Sequence, residues 1–145
     1  MHLETIAFVL RTYPLGEADR IVALFTREHG QVRCVAPRAA TSRRRFGGAL
    51  SILAEVDARL RLRDGRELGR LESCELRRPT PGEGRDLDAF YAASYVAEVL
   101  EAFSREAEAD DHLYRLTRAC AAVLADGGDA FAVCRYFELW VLKIS

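Results

Sequence analysis

Residues 53–63 read Leu-Ala-Glu-Val-Asp-Ala-Arg-Leu-Arg-Leu-Arg. Apolar and charged side chains alternate through the stretch. Ala54, Val56, Ala58, Leu60 and Leu62 fall on one side of an extended chain, and Glu55, Asp57, Arg59, Arg61 and Arg63 on the other. Successive side chains of a strand point to opposite faces, so this pattern predicts a strand with one buried and one solvated face. Asp64-Gly65 follows at once, a dipeptide suited to a tight hairpin turn. Leu68 to Leu76 then reads as the return strand.

The same punctuation runs upstream. Thr5 to Tyr13 is a strand rich in Ile6, Phe8, Val9 and Leu10, broken by Pro14-Leu15-Gly16. Arg20 to Thr26 is a second, with Ile21, Val22, Leu24 and Phe25. His29-Gly30 turns the chain, and Gln31 to Ala36 is a third, ended by Pro37. Five short strands in the first half predict a small barrel. Its long connection, about residues 38–51, falls between the third and fourth strands, where a five-stranded barrel of the OB type holds a helix or extended loop. An SH3-like barrel also accommodates five strands.

Pro79-Thr80-Pro81-Gly82-Glu83-Gly84 ends the last strand and cannot start a helix. Beyond it the hydrophobic period lengthens to that of a helix. In Asp86 to Phe103 the polar residues Ser94, Glu98 and Glu101 make one narrow stripe, which predicts a helix buried round most of its circumference. A second helix follows Asp110, with Leu113, Leu116, Thr117, Cys120 and Leu124 inward and a stop at Gly127. Asp129 caps a third, with Val133, Cys134, Phe137, Val141 and Ile144 inward. Phe131, Phe137 and Trp140 read as core aromatics, and the three helices as an up-down bundle. The expected fold is α+β: a five-stranded OB-type β-barrel over residues 1–78, a linker over 79–85, and an all-α helical domain over 86–145.

Charge divides along the same line. The 145 residues carry a net charge of −1. Residues 1–78 hold 15 Arg against 10 Asp and Glu, while residues 79–145 hold five Arg and one Lys against 12 acids. A basic half followed by an acidic half suggests two parts with different jobs. The basic half is densest at Ser42-Arg43-Arg44-Arg45-Phe46-Gly47-Gly48, a surface loop between strands. Three adjacent guanidinium groups on a small β domain point to a polyanion, foremost nucleic acid; a plain solvated charge run is the alternative.

Other chemistries lack their motifs. There is no phosphate-binding G-x-x-x-x-G-K-[ST] loop and no H-E-x-x-H. His2-Leu3-Glu4 has no P-C-x-x-C downstream, which excludes a zinc deaminase. Asp110-Asp111 suits the positive end of a helix better than a metal. Cys34, Cys74, Cys120 and Cys134 have no C-x-x-C spacing and read as buried free thiols, so no metal and no cofactor are expected. No apolar run approaches ~20 residues, so no membrane span is expected. The N-terminus runs straight into a strand pattern, so no leader is expected either, and a soluble cytoplasmic protein fits. Neither an enzyme nor a small-molecule substrate is expected.

One ordered set of motifs carries a family resemblance: Ile6-x-x-Val9-Leu10-Arg11-Thr12, Gly16-Glu17-Ala18-Asp19-Arg20-Ile21-Val22, Leu24-Phe25-Thr26-x-x-x-Gly30, Val35-Ala36, and Ser42-Arg43-x-x-Phe46-Gly47-Gly48-Ala49-Leu50. Over about residues 5–50 it resembles the N-terminal region of the bacterial recombination mediators of the RecO family. The helical half, with Phe137-Glu138-Leu139, is similar in pattern. The resemblance implies an OB barrel followed by a helical domain. It also implies a nucleoid-associated role in recombinational DNA repair. Such a protein binds single- and double-stranded DNA and anneals complementary strands. It works with RecR, engages the C-terminal tail of single-strand binding protein, and helps load RecA. The chain departs from the family at Ala36-Pro37-Arg38-Ala39-Ala40-Thr41, which carries fewer charges than the usual basic stretch. Many members continue into a zinc-binding cysteine cluster. This chain stops at Ser145 inside a helical pattern, so a fragment is expected and no zinc site is carried over.

The residues themselves nominate Arg38, Arg43, Arg44 and Arg45 for phosphate neutralisation, which gives affinity with little sequence readout. Arg11, Arg20 and Arg27 come next, with Glu17, Asp19 and Glu28 nearby as competing ion-pair partners. Arg59, Arg61 and Arg63 either extend the basic surface or merely solvate their strand. Tyr13 and Phe46 are the aromatics placed to stack on bases; Phe46 equally suits an anchor for the loop. A protein-interaction adaptor and an RNA-binding OB module are the rival functions.

Overall fold

The computed structural model describes residues 1–63 and 68–144; within that range the side chains of Arg43 and Arg44 lie outside the described set. Among the described residues the strands are β1 (His2–Leu15), β2 (Asp19–Thr26), β3 (Gly30–Ala36), β4 (Glu55–Arg61) and β5 (Leu68–Arg78). The helices are α1 (Arg43–Phe46), α2 (Leu87–Phe103), α3 (Asp111–Ala125) and α4 (Ala130–Ile144). The turn expected at Asp64-Gly65 falls outside the described residues.

The strands close into a barrel in the order β1-β2-β3-β5-β4, with β4 returning to β1. Neighbours are antiparallel except β3 and β5, which run parallel. With α1 on the connection between β3 and β4, this is the OB arrangement. The interior holds Ala7, Val9, Val22, Leu24, Val32, Cys34, Val56, Leu60, Leu71 and Cys74. Alternation is thus obeyed in β4, where Val56, Ala58 and Leu60 point inward.

A second core lies between barrel and helices. Phe8, Leu10, Ala23 and Phe25 point out of the barrel and pack with Ala89, Ala93, Val96, Leu100, Leu113, Tyr114 and Phe137. This explains why β1 and β2 read as continuous apolar runs: both of their faces are buried. Each large side chain so removed from water contributes about 1.5–3 kcal/mol.

Local signals place the helices. Asp86 accepts from Ala89 N at 3.1 Å, Asp110 from Leu113 N at 3.0 Å and Asp129 from Ala132 N at 3.0 Å. Each carboxylate satisfies a backbone donor that the first helical turn leaves free. The β2–β3 turn docks on the α2–α3 connection. Gln31 N donates to Arg105 O at 3.0 Å, Ala107 N to Gln31 O at 3.2 Å, and Gln31 Nε2 to Ser104 Oγ at 2.8 Å. Gly30 (φ +64°) passes so close that an added Cβ would overlap the Glu108 carbonyl oxygen.

Two readings of the helical half need correction. α2 exposes Leu87, Tyr91 and Tyr95, so its solvated stripe is wider than the polar residues suggested, because it packs chiefly through alanines. On α4, Phe137 is core, but Phe131 and Trp140 stand outward with Tyr136, Leu139 and Leu142. Three cysteines are buried and Cys134 half-buried, all as free thiols.

Candidate nucleic-acid interface

The part of the barrel that the helices leave open is defined by strand register. A bulge in β1 lies between Val9 and Arg11, where the pairing to β2 shifts. It inserts one residue, so Arg11 and Tyr13, which strict alternation from Val9 would point inward, face outward instead. Two rows then cross the outer surface. Tyr13 pairs with Ile21, Ile21 with Val35, Val35 with Arg70 and Arg70 with Arg61. Beside it, Arg11 pairs with Ala23, Ala23 with Arg33 and Arg33 with Leu68.

These rows bring arginines from four strands onto one face. Arg33, Arg63 and Arg70 are exposed and make no ion pair among the described residues. Arg11 stacks over Tyr13, with its guanidinium carbon 4.6 Å from the ring centroid. Both residues reach Glu101 of α2: Arg11 Nη1 lies 3.6 Å from Oε1, and Tyr13 donates to Oε2 at 3.1 Å. Glu101 marks the edge of the face. With Arg11 60% exposed, that ion pair is solvent-screened and stabilises little.

The connection after β3 forms the end of this face. Arg38 has φ +57° and its backbone N–H donates to Asp19 Oδ1 at 2.8 Å. Ala40 N donates to Ala18 O at 3.1 Å, so the loop is tied to the β1–β2 turn. The Arg38 side chain is left exposed. Arg45 bends back on its own loop, with Nη2 donating to Pro37 O at 2.6 Å and Nε to Ser42 Oγ at 3.4 Å. Its charge is present, but two of its donors already have acceptors. Arg43 and Arg44 begin the α1 turn, and their side chains lie outside the described residues.

Of the two roles open to Phe46, base stacking is corrected and anchoring the loop fits the structure. Its ring is 1% exposed, packed into the barrel core beneath Arg45, so it anchors the loop and offers no open π face. Other pairings also differ from sequence neighbourhood. Arg27 meets Asp111 of α3 at 3.4 Å rather than Glu28. Arg59 pairs with Glu4 at 3.0 Å, and Arg61 lies 3.9 Å from Glu72. Arg20 is half-buried at the end of β2 and makes no ion pair among the described residues. Arg33 and Arg70 belong to the face although the sequence analysis did not nominate them. Alternation with the inward Val32, Cys34 and Leu71 was the signal that could have found them.

Away from this face, one member of the polar series in β4 is not solvated. Glu55 is 2% exposed. Its Oε2 accepts from Tyr114 at 2.9 Å and from Arg118 Nε and Nη2 at 3.2 and 3.0 Å, while Arg78 Nε lies 4.0 Å from Oε1. Tyr114 also packs against Phe8 and Phe25, with centroids 5.0 and 5.6 Å away. Burial, followed by the Glu55 charge and hydrogen bond, pushes the Tyr114 hydroxyl well up from its ordinary range. Burial acts to lower Arg118, but its bond to Glu55 more than reverses this and the net shift is upward. Burial also raises the thiols, Cys74 to about 12 and Cys120 to about 11, with Cys34 higher still. A thiol held protonated in this way is a poor nucleophile. Among the described residues no group of three His, Cys, Asp or Glu is placed to hold a metal, and no helix is long and apolar enough to cross a membrane.

Comparison with known proteins supplies the remaining observation. The family model described as "Recombination protein O N terminal" matches residues 1–80, and that described as "Recombination protein O C terminal" matches residues 84–145. A DNA repair protein RecO of Koribacter versatilis is 39% identical over 139 residues, covering 96% of this chain and 57% of that protein. One of Pelobacter propionicus is 39% identical over 145 residues, covering 99% of this chain and 58% of its own length. One of Geobacter metallireducens is 36% identical over 140 residues, or 97% and 57%. The chain spans less than three-fifths of the length of these relatives.

Proposed function

We propose a function from one premise: the chain belongs to the recombination protein O family. In this reading it is a DNA-binding, non-enzymatic mediator of recombinational DNA repair, working on the nucleoid in the cytoplasm. Residues 1–78 are the DNA-binding unit, joined by 79–85 to a helical unit over 86–145. The protein binds single- and double-stranded DNA and promotes annealing of complementary strands. With RecR and the C-terminal tail of single-strand binding protein as partners, it helps load RecA.

The observation that carries this reading is the open outer face of the barrel. Arg33, Arg63 and Arg70 stand on it without ion pairs among the described residues, and Arg38 extends it at one end. Unpaired guanidinium groups on an open surface suit phosphates, whose charge gives affinity without base readout. Arg11 and Tyr13, already stacked on each other, add a flat surface for a base. Annealing follows from the same chemistry, since neutralised backbones approach with less repulsion.

The test is binding of labelled oligonucleotides across a salt series, with annealing of complementary strands measured in parallel. Binding should weaken linearly in log salt. Changing Arg38, Arg43 and Arg44 to Ala should flatten the single-strand slope by about 2, from roughly 0.7 per phosphate contact. Absence of binding and annealing at low salt would overturn the reading. RNA of matching sequence binding more tightly than DNA would favour an RNA module. The adaptor reading draws on one feature, the outward Phe131, Tyr136, Leu139, Trp140 and Leu142 of α4, and predicts a protein contact insensitive to salt.

A further inference from the structure

The parallel β3–β5 seam carries a groove of about 620 Å³, within the ~300–1,000 Å³ range of small-ligand sites. Among the described residues, Val35, Pro37, Leu68 and Gly69 line it with three charged residues, Arg61, Arg63 and Arg70, all cationic. We infer that this groove seats one nucleotide of single-stranded DNA, its phosphate against Arg61, Arg63 and Arg70 and its base against Val35, Pro37 and Leu68. The inference rests on the DNA-binding reading above and assigns it a strand preference at a specific place.

Three observations lead there. First, the charges are unbalanced. Arg63 and Arg70 make no ion pair among the described residues, and the one acid that those residues place beside the groove is Glu72. Glu72 is shared between Arg61, at 3.9 Å, and His2 Nδ1, at 3.2 Å. Second, Arg61 Nε is buried with no hydrogen-bond partner among the described residues. A donor in that position is unfavourable in the free protein. The Arg61 side chain is 41% exposed, so an anion in the groove can draw the guanidinium outward and supply the missing acceptor. Third, the wall between the cations is apolar, with Leu68 39% exposed. A phosphate alone has no use for such a wall; a nucleotide does.

The shape selects the strand form. The groove is a shallow recess over the paired ends of β3 and β5 beside the end of β4, with a wall at Pro37, whose carbonyl is held by Arg45 at 2.6 Å. An unstacked nucleotide enters such a recess. The bases of a duplex are paired and stacked inside the helix, so a duplex touches the wider face only at Arg33 and Arg38, outside the groove.

The experiment compares a single-stranded oligothymidine with a duplex of equal length, by anisotropy over a salt series. The proteins are the unmodified chain, a double variant Arg63→Ala with Arg70→Ala, and Leu68→Ser. The double variant should lose about 1.4 from the single-strand salt slope, two contacts at roughly 0.7 each, with the duplex slope unchanged. Leu68→Ser should weaken the single strand at every salt concentration and leave both slopes alone. All three sites are exposed, so folding is not at risk, and thermal melts check this. Equal losses on both strand forms, or none on either, would overturn the groove while leaving the broader DNA-binding reading in place. An unmodified chain that binds neither form would overturn both.

Discussion

Removing the Glu55 carboxylate should loosen the join between barrel and helices by an amount the geometry bounds. Glu55 is 2% exposed and accepts three hydrogen bonds on Oε2, from Tyr114 at 2.9 Å and Arg118 at 3.0 and 3.2 Å. Breaking a buried ion pair from one side typically costs ~3–5 kcal/mol, because the other charge is stranded. Here the stranded charge has an escape: the Arg118 side chain is 32% exposed and can turn to water. Tyr114, with no exposed surface, has none, and its hydroxyl would lose its charged acceptor, at ~1.5–3 kcal/mol. Glu55→Ala should therefore destabilise by about 3 kcal/mol, the lower end of the buried-pair range. Tyr114→Phe should destabilise by about 1.5 kcal/mol, since Arg118 still serves Glu55. The double variant should fall short of the sum by about 1.5 kcal/mol, because the Tyr114 bond cannot be lost twice. Urea unfolding with an unchanged m-value measures all three. In melting temperature, Glu55→Ala should show roughly 2–4 °C per kcal/mol at this size. A loss under ~1 kcal/mol for Glu55→Ala, or additive effects in the cycle, would show that the carboxylate does not hold the two parts together.

Other outcomes follow from other features. Stability should decline above pH 9. The unfolded thiols ionise near 9.0, while burial keeps Cys34, Cys74 and Cys120 protonated in the folded chain, so the unfolded state sheds protons first. The slope is ~1.4 kcal/mol per pH unit for each thiol. The Cys120 contribution is exhausted near 11, and Tyr114 joins above its ordinary value of 10; a melting temperature flat from pH 8.5 to 10.5 would refute this. Gly30→Ala should destabilise by ~3 kcal/mol or more, since its φ of +64° and the Glu108 carbonyl both exclude a Cβ. Calorimetry on that variant gives the answer, and a near-normal transition would count against the docking of the β2–β3 turn. Arg45→Ala should loosen the loop as well as remove a charge, so proteolysis near residues 38–46 should quicken, unlike in Arg38→Ala.

What the residues disclosed in advance divides along the range of the forces involved. The alternation of Val56, Ala58 and Leu60 and the caps Asp86, Asp110 and Asp129 are local signals, decided within a few residues, and they were readable. Glu55 sits in phase with the charged series of β4, and nothing within ten residues says that Tyr114 and Arg118 will cover it. The inside-out places of Arg11 and Tyr13 depend on one inserted residue at Leu10, which shifts parity without changing composition. Phe46 read equally as a ring for base stacking and as an anchor for its loop, and nothing local decides between them; the nearest core captures the ring. Arg33 and Arg70 become neighbours of a common face only through the parallel pairing of β3 with β5, a contact made across more than thirty residues of chain. The site is for that reason less legible than the fold. The fold is written in periods, and the site in which of the exposed positions end up side by side.

The barrel is not equally laced all the way round. β2 and β3 share seven Cα pairs, from Arg20–Ala36 to Thr26–Gly30, whereas β3 and β5 share three among the described residues, at Arg33–Leu68, Cys34–Gly69 and Val35–Arg70. A closed cylinder under thermal agitation opens where its lacing is shortest. The amides of residues 33–35 and 68–70 should accordingly be the first of the sheet to take up deuterium, well before those of Val22 or Leu24. Because Pro37, Leu68 and Arg70 flank that same joint, anything lodged there also acts as a clasp, and slower deuterium uptake along the joint becomes a readout of occupancy that needs no label on the ligand.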